Sequence, residues 1–256
     1  GGVSKYHPLV ILMSLIEKLA CKYSDNVISN WPRADLHLEE VGLEKGKFSW
    51  IPNGFSLEEF SKPKPLDAGF LEGFPKDKFV VGYTGTLGYA NALDVLLHTA
   101  EILLPNKDIA FVIVGGGAGE AEILAVIKQR KLTNVYYLGG VDKTQVPSVL
   151  NLFDVCYVGF RASTLYRFGS SLNKLPEYFA SKKPIIYSID SPFKPVDDAK
   201  AGITVGAEDP DAIKGAVLKF FYMSIKERGL LGKNGFEYAV ENHDYSVLAS
   251  RLEKLF

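Results

Sequence analysis

Cysteine is scarce in this chain. Cys21 and Cys156 are its only two, far apart and without the spacing of a metal site. That excludes a disulfide-stapled secreted scaffold and makes a reducing, cytoplasmic compartment the natural one. Cys156 lies in the apolar run Val155-Cys-Tyr-Val158 and reads as a packed thiol. An excess of one charge sign is also lacking. The formal net charge is −1, so no basic field exists to hold a nucleic acid. Long hydrophobic runs are missing too. The longest, Leu9 to Met13 extended through Leu15 and Ile16, is too short to span a bilayer and lacks a signal-peptide cleavage site. There is no internal repeat and no low-complexity tract. His7, His37, His98 and His243 stand apart, with no pattern that suggests catalysis. The chain opens on Gly1-Gly2-Val3 without an initiator methionine and is expected to be a piece of a longer polypeptide.

What is present is the composition of a soluble globular protein, 47% hydrophobic and 23% charged. The 256 residues exceed what one compact domain usually needs. Leu9, Leu12, Ile16, Leu19 and Ala20 share one face of a helix over residues 8–23, with further apolar residues flanking it. A buried inter-layer helix is the expectation, with a membrane-facing helix as the lesser alternative. A strand over residues 26–29, a helix ending near Val41-Gly42 and a strand over 48–51 follow, closed by Pro52-Asn-Gly54. Residues 55–78, rich in Pro, Lys and Glu, read as a linker.

From Lys78 onward, apolar strands and amphipathic helices alternate. Strands are predicted at 79–83, 109–114, 135–138, 154–159, 184–189 and 203–205. Helices are predicted at 92–104, 120–130, 144–152, 210–228, 230–242 and 247–256. The pattern specifies an α/β fold: a Rossmann-like parallel sheet covered on both faces. Ligands of such sheets bind beyond the carboxyl ends of the strands. Four loops fall there, at residues 85–88, 115–119, 139–143 and 160–174. Their glycines would let backbone N–H groups approach a phosphate. A nicotinamide-dinucleotide fingerprint is excluded, because Gly82 and Gly85 are three apart and Glu120 stands where the third glycine should be. No Gly-x4-Gly-Lys-Ser/Thr phosphate loop occurs either. Asp197-Asp198 reads as a solvated helix start rather than a metal site.

The stretch from Tyr166 to Tyr187 reads as loop, helix and strand. Pro176 is tolerated only in a first helical turn. Asn173 as N-cap satisfies this; Ser171 as N-cap would leave Pro176 in the second turn with a kink. In either case N–H groups around Leu172 to Leu175 lie free beside Lys174, a combination that attracts anions.

Phe168-Gly-x-Ser-x-Asn-Lys-Leu-x-Glu-Tyr-x-Ala-x-x-Lys-Pro resembles the signature of bacterial family 4 glycosyltransferases, in the branch that builds surface polysaccharides from nucleotide-sugars. The resemblance runs from about Lys18 to Phe256. It implies a GT-B architecture with the end of an N-terminal acceptor-side domain at residues 1–54, a linker at 55–78 and a C-terminal nucleotide-sugar-binding domain at 79–242. It also implies a final helix, 243–256, that returns to the N-terminal part; the apolar Leu248, Leu252, Leu255 and Phe256 need a partner surface, and the helix of Leu9 to Leu19 is expected to meet them. The implied activity is transfer of a sugar from a nucleotide-sugar, a UDP-sugar foremost, to a glycan or lipid-linked acceptor. It proceeds with retention of configuration and needs neither metal nor another cofactor. The implied place is the cytoplasm, with peripheral contact at the cytoplasmic face of the inner membrane through the N-terminal domain.

The resemblance also assigns residues. Glu177 would hold the ribose hydroxyls, and the loop at Gly140-Val141-Asp142 would read the base through its backbone. Gly85, Thr86, Gly88, Ser170, Ser171, Asn173 and Lys174 would surround the diphosphate, with Arg161 and Arg167 as further candidates on their loop. Lys174 and Glu177 are the residues assigned to the chemistry. Three departures stand out. Thr86 and Asn91 occupy the places where the family carries an arginine and a lysine, and Gly169 occupies that of a glutamate that contacts the sugar. Lys174 is the candidate to replace the lost cations. A GT-B nucleotide-sugar epimerase and a non-catalytic nucleotide-binding module are the competing readings. With most of the acceptor side absent, the chain alone is expected to bind nucleotide without transferring sugar.

Overall fold

The computed structural model describes Ser4 and residues 6–256. The chain enters α1 (Pro8–Tyr23) through His7, whose ring accepts the Leu9 N–H, with Pro8 at the first helical position where no N–H is needed. A parallel unit follows, made of β1 (Val27–Ser29), α2 (Asp35–Val41) and β2 (Phe48–Trp50). Helix α2 stops at Gly42, which takes the left-handed conformation with φ +117°. Beyond the Pro52-Asn53-Gly54 turn come two short helices, α3 (Leu57–Phe60) and α4 (Ala68–Gly73).

Strands and helices then alternate: β3 (Phe79–Thr84), α5 (Leu93–Ile102), β4 (Ile109–Val114), α6 (Glu120–Gln129), β5 (Val135–Tyr137), α7 (Val146–Asn151) and β6 (Val155–Gly159). The second half carries α8 (Lys174–Ala180), β7 (Ile185–Ser188), α9 (Pro195–Asp198) and β8 (Gly202–Val205). The chain ends in α10 (Pro210–Tyr222), α11 (Ile225–His243) and α12 (Tyr245–Glu253). Strands β3 to β8 form one parallel sheet in the order β5-β4-β3-β6-β7-β8. The order reverses between β3 and β6, so the loops leaving these two neighbours diverge and open a crevice at their carboxyl ends.

Every residue of β3 and β4 is buried, as a strand covered on both faces requires. Val81 and Tyr83 pack with Leu96 and Leu97 of α5 and Phe220 of α10. Val80 packs on the opposite side with Leu150 of α7 and Tyr178 and Phe179 of α8. Each such buried side chain contributes roughly 1.5–3 kcal/mol.

Three expectations are corrected. The helix predicted to run to Arg228 ends at Tyr222, because Ser224 and Glu227 form a reciprocal capping box that starts α11 at Ile225. Helix α1 is not buried: Leu9, Leu12, Ile16 and Leu19 are 51–59% exposed, and Cys21 is its one buried residue. Periodicity marks an apolar face but not what covers it, and α1 packs chiefly on α2. Finally, the apolar residues of α12 and the tail beyond it, expected to pack on α1, are placed differently. Leu248 is buried beside the Gly54 turn, while Leu252 and Phe256 remain exposed. Among the described residues no helix is long and apolar enough to cross a membrane.

Candidate functional site

The loops at the carboxyl edge are knitted to one another. The Leu87 N–H donates to the Gly116 carbonyl at 2.9 Å, the Gly119 N–H to Leu87 at 2.8 Å and the Gly115 N–H to Gly139 at 2.8 Å. Gly115 has φ +142°, and a Cβ there would lie 1.9 Å from the Gly85 carbonyl oxygen. Part of the glycine content of these loops therefore serves loop-on-loop packing.

Asn173 is the residue before α8, and Pro176 is the third helical residue, so the first turn accommodates the proline without a kink. The buried Tyr178 hydroxyl accepts the Thr84 N–H at 2.7 Å and donates to the Thr84 carbonyl at 3.0 Å. This fastens α8 to the end of β3 and carries Lys174 under Gly85. A Cβ at Gly85 would stand 2.9 Å from the Lys174 Nζ. Lys174 donates to the Tyr83 phenol oxygen at 2.8 Å and to the Asn91 Oδ1 at 3.2 Å. Burial of the ammonium, with no carboxylate beside it, lowers the Lys174 pKa to about 7. With seven residues, α8 has only a short run of aligned dipoles, so the local positive charge is mainly that of Lys174.

Glu177 follows one turn later, its side chain 14% exposed and ion-paired with Lys143 from the loop after β5. Together with Asn173 and the Pro52-Asn53-Gly54 turn, this pair lines a cleft of about 1070 Å³. Val141 and Gly140 line an adjoining cavity of about 470 Å³ with Tyr137 and Gln145.

The remaining candidates are placed variously. The Thr86 side chain is exposed, while its carbonyl accepts from Tyr83 and from Asn91. Gly88 caps the turn that leads to Asn91. Ser170 is buried against the Tyr187 hydroxyl at 2.6 Å, and Ser171 accepts from Asn53 at 2.9 Å. Arg161 pairs with Asp94 at 2.5 Å and Glu208 at 2.7 Å and lies over the Tyr89 ring. Its charge is thus matched by two carboxylates inside the protein. Arg167 is exposed over the Phe168 ring. Gly169 has φ +90°, and a Cβ there would meet the Pro32 Cγ at 2.3 Å. The Arg33 N–H donates to the Phe168 carbonyl, and Trp31 stacks with Tyr166, so the N-terminal segment closes over this loop.

The structure thus gathers Gly85, Thr86 and Lys174 in one network and sets Glu177 and Asn173 on one cleft, while Arg161 is engaged elsewhere. Sequence reasoning missed Tyr83, Lys143 as the partner of Glu177, and Asn53. A hydroxyl near the end of an otherwise apolar strand was the available signal for Tyr83. Among the described residues no cluster of His, Cys, Asp and Glu could hold a metal ion.

The family model of glycosyl transferases group 1 matches residues 78–221. The chain is 25% identical over 118 residues to WcaI of Escherichia coli, named as a colanic acid biosynthesis glycosyl transferase, a match covering 45% of this chain. It is 28% identical over 141 residues to TuaH of Bacillus subtilis, named as a teichuronic acid biosynthesis glycosyltransferase, covering 55% of this chain. These matches span 29% and 34% of the two relatives' own lengths. Among solved structures, HepE of Anabaena in complex with UDP and glucose superposes with a TM-score of 0.74 at 15% identity, covering 98% of this chain and 67% of HepE. That likeness shows the fold, which is that of GT-B glycosyltransferases.

Proposed function

The chain belongs to the glycosyl transferases group 1 family, and from that premise we propose that it supplies the nucleotide-sugar-binding part of a retaining glycosyltransferase that extends a glycan or lipid-linked acceptor. The donor lies in the crevice between the loops after β3 and β6, with UDP as the favoured nucleotide. The observation that carries this reading is the Lys174 amino group, largely enclosed at the switch point of the sheet without a carboxylate partner. A basic group that the protein leaves without a counterion suits an anionic ligand. The diphosphate of a nucleotide-sugar fits, and neutralising it as it departs is the main catalytic task when the bond to break joins sugar and phosphate.

Glu177, one turn beyond Lys174 on α8, lines the cleft beside the Pro52-Asn53-Gly54 turn and suits a ribose diol, which offers a carboxylate two charge-assisted hydrogen bonds. Lys143 holds Glu177 in the meantime. The backbone of Gly140, Val141 and Asp142 faces the base. The division of the chain near residues 54 and 79 belongs to the same proposal, as does retention, which rests on the sequence resemblance. HepE was crystallised with UDP, and the same ligand class is proposed here.

Calorimetry with a panel of nucleoside diphosphates tests the binding reading, and crystals grown with UDP test its place. Density in the crevice is expected; density at the opposite edge of the sheet would end the proposal. Proton NMR of the anomeric centre of a transfer product decides retention.

A further inference from the structure

We propose that Lys174 takes up a proton as it receives the diphosphate, and that Tyr83 and Asn91 are positioning residues that hold the uncharged amine ready for it. The inference rests on the nucleotide-sugar reading above and adds a proton to it.

Four groups close a ring. The only phenolic proton of Tyr83 goes to the Thr86 carbonyl at 2.7 Å, so toward Lys174 at 2.8 Å the phenol oxygen can only accept. Asn91 gives its amide N–H to the same carbonyl at 2.9 Å, which turns its Oδ1 toward Lys174 at 3.2 Å. Both partners of Lys174 are therefore acceptors, and each takes one N–H. A neutral amine has two N–H groups, and this ring satisfies both. An ammonium has three. The third finds no hydrogen-bond acceptor among the described residues, and the charge meets only the face of the Tyr83 ring, 4.0 Å from its centroid, and no counterion. Enclosure makes an unpaired N–H and an unmatched charge costly, so the empty site favours the amine.

The surrounding charges leave that balance intact. On the same helix Glu177 is taken by Lys143, and across the loops Asp94 and Glu208 are taken by Arg161. Tyr83, from β3, stays a phenol because burial raises its pKa. None of these carboxylates contacts Lys174. A diphosphate supplies the acceptor and the countercharge together, and so draws the third proton from solvent.

The test is titration calorimetry of UDP into this chain at pH 8, in buffers of different ionisation enthalpy. At that pH a terminal phosphate, which ionises near about 6, is already charged, so any proton bound is the protein's. Uptake of about one proton is expected, and affinity should fall about tenfold per pH unit above 7. Lys174→Arg, charged at every working pH, should abolish the uptake. Asn91→Asp should abolish it too, because a carboxylate beside the amine charges it before ligand arrives. UDP binding at pH 8 without proton uptake overturns the inference and leaves the nucleotide reading standing. Uptake that persists undiminished in Lys174→Arg assigns the proton elsewhere and overturns it as well. Absence of UDP binding at any pH overturns the nucleotide reading, and the inference with it.

Discussion

Glu177 and Lys143 form a lopsided ion pair: the carboxylate is 14% exposed and the ammonium 74%. The lysine can swing into water at little cost, while the carboxylate stays where α8 fixes it. A pair with one solvated member is worth about 0.2–1 kcal/mol. A ribose diol bound at Glu177, as proposed, would therefore compete with a weak internal partner.

Glu177→Ala is expected to weaken UDP binding by about 1.5–3 kcal/mol, the range for a hydrogen bond to a charged group. Pyrophosphate, which has no ribose, should bind the variant as it binds the parent. Lys143→Met should leave UDP binding unchanged or tighten it up to about fivefold. Calorimetry on both ligands checks all three; equal losses of UDP and pyrophosphate in Glu177→Ala would remove the ribose role.

Lys174→Ala is expected to cost diphosphate binding about 1.5–3 kcal/mol or more while barely affecting uridine. Circular dichroism should show an intact fold, since the Tyr178 anchor on Thr84 remains. Losses of equal size for uridine and UDP would point to packing instead.

The same lysine sets a slope of stability with pH. Its folded pKa, about 7, lies below its unfolded value of 10.5, so between those limits the unfolded chain binds more protons. Stability of the ligand-free chain should then rise with pH through that window, by at most about 1.4 kcal/mol per unit. Lys183, also lowered by burial, adds the same sign. Urea melts of the parent against Lys174→Met isolate the Lys174 share, and identical slopes would contradict it.

The strands and the first turn of α8 were legible because each depends on neighbours in sequence, whereas the reversal of strand order between β3 and β6 depends on long-range pairing. Pro176 narrowed the helix start to Asn173 or a kinked start at Ser171, of which the structure has the first, and alternating apolar runs gave the parallel sheet. The capping box at Ser224 and Glu227 was equally local and went unread. Other features were not local. Arg161 finds partners 67 and 47 residues away, and nothing in its own loop announces them. The exposure of α1 depends on what packs against it, which periodicity does not specify. The role of Tyr83 needs the loop from Gly85 to Asn91 to fold back over it.

His243 governs the acid side. Its Nδ1 donates to the Asn53 carbonyl at 2.8 Å, and its buried Nε2 has no partner among the described residues. Burial lowers its pKa below the usual 6.5, so the folded chain resists the proton that the unfolded chain accepts. Stability should decline as pH falls below 6.5, with a contribution that His243→Phe removes. Thermal melts from pH 7 to pH 5 check this, and a variant that declines as steeply as the parent would refute it.

Gly169 and Pro32 lock each other's future. Any side chain at residue 169 meets the ring of Pro32 and must also adopt a positive φ. A single substitution that restores a carboxylate there is met by a clash 137 positions upstream. Installing an acidic residue at position 169 is therefore a two-step path in which residue 32 changes first, and the effects of the two substitutions will not add. A designer grafting a sugar-contacting glutamate onto this loop inherits the same order of operations.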